Sequence, residues 1–113
     1  AQAAMRLRDA AATLSDALAR SGGGDAFTVI AAIADRTTSP RFTDYAGSAQ
    51  AVMAVDTLLN AMVREGRVTV GAAAGIRADL NRAYDAVRSA ESYNPVRFRG
   101  ALGQAAGAIG KLR

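Results

Sequence analysis

Histidine, cysteine and tryptophan are absent from this chain of 113 residues, and proline occurs only twice. Without His and Cys the chain lacks the common zinc, haem and iron–sulfur ligands, the thiol nucleophile, and the one side chain that titrates near neutrality. Serine–histidine and cysteine–histidine catalysis are thereby excluded. Carboxylate-only hydrolysis or magnesium binding needs acids that converge. The ten here are scattered as Asp9, Asp16, Asp25, Asp35, Asp44, Asp56, Glu65, Asp79, Asp85 and Glu91, with no DxD or ExxE pair. We therefore expect no enzyme, cofactor or metal site. No apolar run approaches the ~20 residues of a membrane span. The lack of cysteine leaves the redox compartment open.

Alanine fills 28 positions, whereas Leu, Ile, Val, Met and Phe together fill 26. Much of any core must then come from close backbone approach over small side chains. The length suits one domain, residues 1–113, and an apolar half of the composition favours a folded chain over a disordered one.

Apolar residues recur at helical spacings of three and four between Gly, Pro and Ser/Thr punctuation. Leu7, Ala11, Leu14 and Leu18 form one seam, ended by Ser21-Gly22-Gly23-Gly24. Asp25 can cap a second segment with Phe27, Ile30, Ile33, Ala31 and Ala34, interrupted at Thr37-Thr38-Ser39-Pro40. A third begins at Thr43 or Asp44, carries Tyr45, Val52, Val55, Leu58, Leu59 and Met62, and closes at Gly66 as its left-handed C′ residue. Thr69 can cap a fourth, with Ala73, Ile76, Leu80, Ala83 or Tyr84, and Val87 on one side, ended by Ser92-Tyr93-Asn94-Pro95. No alternating run is long enough for a strand. The expectation is an all-α, single-domain bundle of four or five helices.

Most charges read as solvated local pairs: Asp16 with Arg20, Asp79 with Arg82, and Asp85 with Arg88. Asp56 lies inside an apolar run, but helical spacing aligns it with Asn60 and Arg64, which favours exposure over a buried catalytic acid. Tyr45, Tyr84, Phe27 and Phe98 occupy core-like positions. Pro40-Arg41-Phe42 and Pro95-Val96-Arg97-Phe98 echo each other, each ahead of a helical stretch.

The stretch Ala51 to Ala90, with Val55-Asp56, Gly66-Arg67-Val68-Thr69, Ile76-Arg77, Leu80 and Ala83-Tyr84, resembles small alanine-rich two-helix segments of uncharacterised proteins of proteobacterial phages and prophages. That resemblance covers about a third of the chain. It implies a small bacterial accessory protein in a phage or envelope setting, and it carries over no functional residue. The start Ala1-Gln2-Ala3-Ala4, without an initiator Met, fits the residue pattern left by signal peptidase and equally a cut in a longer chain. The lean is to a periplasmic or secreted location, with the cytoplasm as the other option.

The segment from about residue 95 to 113 concentrates the functional signal. It holds Arg97, Arg99, Lys111 and Arg113 and no acid, whereas residues 1–94 hold ten bases and ten acids, so the formal net charge of +4 belongs to this tail. Gly100, Gly103, Gly107 and Gly110 recur at helical spacing beside Phe98, Leu102 and Ile109. These seven form the candidate helix-contact surface, approached by another helix of this protein or by a partner. The intramolecular form is preferred. Arg97, Arg99, Lys111 and Arg113 are the candidate anion contacts, and nonspecific nucleic-acid binding is the alternative function. An interfacial membrane helix is disfavoured, because each interior Gly lowers helix stability by roughly 0.8–1 kcal/mol relative to Ala. The leading expectation is a noncatalytic structural or protein-binding role, with another protein or a second copy as the partner.

Overall fold

The structure, a computed structural model, describes residues 26–112. Over that range the chain is all-α, a small bundle of four helices: α1 (Ala26–Thr37), α2 (Tyr45–Arg64), α3 (Val70–Ala86) and α4 (Pro95–Gly110). The seam of Leu7 to Leu18, the Asp16–Arg20 pair, the Asp25 cap and Arg113 lie outside the described residues.

Local chemistry sets the helix ends. Asp44 caps α2, its Oδ2 accepting from Gly47 N at 3.0 Å. Thr69 caps α3 by accepting from Ala72 N at 3.1 Å, and Asn94 caps α4 by accepting from Arg97 N at 3.0 Å, with Pro95 at the first helical position. Gly66 closes α2 with φ of 77°. Its N–H donates to Val63 O and that of Arg67 to Met62 O, which is a Schellman closure of the last turn. Val68 and Thr69 form a link, and no strand occurs among the described residues. α3 ends at Ala86, earlier than the Ser92-to-Pro95 stop expected from sequence. The eight residues that follow it form an irregular connection, in which Asn94 N donates back to Ala86 O at 3.0 Å.

α2 is the central helix. It buries residues around much of its circumference, among them Val52, Val55, Leu58, Leu59 and Met62, and it packs against all three others. α3 and α4 share the most extensive interface. Ten of the 23 buried apolar residues among those described are alanine, so the helices approach over methyl groups, while Phe98, Ile30, Leu80, Leu102 and Ile109 supply the bulk. On α1 the inward stripe is Ala26, Ile30 and Ala34; Ala31 is exposed and Phe27 only half-buried.

Polar groups in this small core are satisfied. Ser48 is fully buried, and its hydroxyl lies 2.9 Å from the Tyr93 hydroxyl. The Tyr93 ring meets Tyr45 edge-on at 5.8 Å. These contacts fasten the α3–α4 connection to the first turns of α2. At the end of α1, Thr37 Oγ1 donates to Ile33 O and Thr38 Oγ1 to Ala34 O. No buried side-chain nitrogen or oxygen among the described residues lacks a partner.

Candidate functional site: the outward face of the last helix

Among the described residues, α4 is held by one face only. Phe98, Ala101, Leu102, Ala105 and Ile109 point into the core and are buried. Val96, Gly100, Gly103, Gly107 and Gly110 recur at spacings of four and three on the opposite side, and all are exposed. A Cβ added to any of the four glycines meets no described atom within 4 Å. The seven-residue contact surface expected from sequence therefore divides. Phe98, Leu102 and Ile109 are core residues, unavailable to a partner, and the glycines form a bare outer track. The preferred intramolecular packing of the glycines fails among the described residues, because burial of the three large side chains decides which way the helix turns. Each is worth ~1.5–3 kcal/mol when fully removed from water.

The neighbouring helix extends the same surface. On α3, Gly71, Ala74, Gly75 and Ala78 are exposed, and Gly71 and Gly75 are likewise open to an added Cβ. Arg82 on α3 reaches across to Gln104 on α4 at 2.8 Å and also pairs with Asp79. The three large apolar residues left exposed among the described residues are Val70 at the start of α3, Val96 at the start of α4 and Leu112 just past the end of α4, at 70, 69 and 41%. All belong to this helical hairpin, which therefore carries small residues along its outer side and apolar side chains near its ends.

The candidate anion contacts do not form one patch. Arg97 is exposed on the first turn of α4, and half-buried Arg99 donates from Nη1 to Pro40 O at 3.0 Å. Lys111 lies beyond the opposite end of the helix, roughly 21 Å along the axis from Arg97 at 1.5 Å per residue. Instead, the Arg99 bond ties the first turns of α4 to Pro40, in the turn after α1. The echo of Pro40-Arg41-Phe42 and Pro95-Val96-Arg97-Phe98 gave no sign of that contact. Its two phenylalanines are not equivalent, since Phe98 is core whereas half-buried Phe42 lies over Gly47, where an added Cβ would fall 2.6 Å from Phe42 Cζ.

Asp56 and Asn60 sit half-buried in the seam between α2 and α3 rather than fully exposed. Asn60 Oδ1 accepts from Arg77 at 2.6 Å, and Asp56 Oδ2 faces the Tyr84 hydroxyl at 3.5 Å. Burial, reinforced by the Asp56 charge and hydrogen bond, pushes the Tyr84 phenol up to about 12. Tyr84 also lines an open cleft of about 400 Å³ with Tyr45, Ala49, Met53, Asp85, Val87 and Arg88. Asp85 and Arg88 pair at 2.6 Å on its rim.

No group of three metal-ligating side chains gathers among the described residues, and none of their helices is long and apolar enough to cross a membrane. Among the described residues, fold and surface define a small all-α bundle whose last helix is bare on its outward side. No protein-family model, curated protein or solved structure matches the chain.

Proposed function

We propose that this protein is a noncatalytic binding bundle that engages another protein, or a second copy of itself, through the outer face of α4. The observation that carries the reading is the exposed row Gly100, Gly103, Gly107 and Gly110, across which a helix backbone can approach with no described side chain in the way. A helix interior normally avoids glycine, and four of them lower local stability without any compensating contact among the described residues. An accessory role in a phage or envelope setting is part of the same proposal and rests on the resemblance of Ala51 to Ala90.

The test is Gly103→Leu and Gly107→Leu, followed by thermal unfolding, light-scattering size and co-purification. Both positions are open, so the fold persists and the melting temperature rises, each change adding roughly 0.8 kcal/mol of helix propensity. Assembly or capture is lost in the same variants. Retention of the wild-type size and of the same co-purifying protein overturns the reading.

A further inference from the structure

We propose that the cleft between α2 and the end of α3 is a binding site for a quaternary ammonium ion carried on a small apolar body. Tyr45, Ala49 and Met53 stand four residues apart on α2 and so share one face of it, while Tyr84, Asp85, Val87 and Arg88 form the other wall. The space is about 400 Å³, within the range of small-molecule sites. Two phenol rings, a thioether, an alanine and a valine make up most of its lining.

The walls suit a cation with an apolar skin. All three tyrosines of the chain gather here: Tyr45 and Tyr84 line the cleft, and Tyr93 meets Tyr45 edge-on. Aromatic rings attract positive charge, most of all a charge already poor in water. Negative charge lies around the rings. Asp85 stands on the rim, and the half-buried Asp56 carboxylate faces the Tyr84 hydroxyl at 3.5 Å. The C-terminal end of α3, the negative end of its dipole, has no basic residue in its last turn.

The neighbouring cations do not cancel this field. Arg82 is turned to Asp79 and Gln104, and Arg77 to Asn60. Arg88 is the one cation in the lining; its side chain is 76% exposed and that of its partner Asp85 49%, and so open a pair holds weakly. The hydrogen bonds select a quaternary centre. A primary ammonium has three N–H groups to satisfy, but the lining carboxylate already accepts from Arg88 and the Tyr84 hydroxyl is turned to Asp56. A quaternary ammonium has no N–H and needs only the rings and the surrounding charge.

The experiment follows the tyrosine ring protons by NMR while the full chain is titrated with hexyltrimethylammonium, hexanol or hexanoate, probes of similar apolar length and different charge. The ammonium binds about tenfold tighter than hexanol, and hexanoate binds more weakly than both. Asp85→Asn weakens ammonium binding and Arg88→Gln tightens it, each about threefold, and neither changes hexanol binding. Both side chains are open to solvent, so the fold persists in each variant. Tyr84→Leu keeps the apolar bulk but lowers the preference for ammonium over hexanol. Equal or tighter binding of hexanol or hexanoate overturns the proposal, as does a titration that leaves the tyrosine rings unmoved. A shift in the same direction from the two charge variants, or no shift from either, overturns it too. The glycine face takes no part in this titration, so the two readings stand or fall separately.

Discussion

Among the described residues, Tyr84 is the one whose chemistry departs furthest from its ordinary behaviour. Burial comes first among the causes and the Asp56 carboxylate second, and together they hold its phenol protonated up to about 12, against 10.0 in the open chain. Because the folded-state value is the higher one, the stabilising effect is complete below about pH 10 and is lost as pH rises towards about 12. An absorbance titration of Asp56→Asn should show the late tyrosinate step moved only part of the way down, since burial remains. A step back at the ordinary value would contradict that ranking of causes. Asp56 also marks a limit of sequence reading. Its alignment with Asn60 is correct, but the stripe faces a helical seam rather than open water, and only the position of α3 determines that.

At the level of elements, the caps carry separable contributions. Asn94→Ala removes the acceptor for Arg97 N and is expected to cost about 1 kcal/mol in denaturant unfolding. Gly66→Ala forces a Cβ into a left-handed backbone and costs roughly 1–2 kcal/mol, although nothing crowds the site. If Gly66→Ala proves neutral, the left-handed closure of α2 is wrong. Such ends were legible in the sequence because capping acts within a few residues: Asp44, Gly66 and Thr69 each stand where the spacing put them. Orientation was less legible. Phe98, Leu102 and Ile109 and the glycine row were both visible as stripes of one helix, yet an alanine-rich neighbour can pack against either. The Arg99–Pro40 contact was beyond local reading, because it joins positions 59 residues apart through tertiary structure.

For the whole molecule, the small share of large side chains concentrates stability in a few of them. Phe98 is fully buried in a core where ten of the 23 apolar residues described are alanine. Phe98→Ala is expected to cost ~3–5 kcal/mol, a large part of the ~5–15 kcal/mol typical of a folded domain. Its exposed neighbour provides the control, since Val96→Ala should change stability by no more than about 0.5 kcal/mol. Comparable melting temperatures for the two variants would place Phe98 outside the core. The bare track on α4 also has a thermodynamic consequence for association. Glycine has no rotamers, so covering Gly100, Gly103, Gly107 and Gly110 freezes no side chain on this protein, and the conformational entropy lost there falls on whatever lies across them.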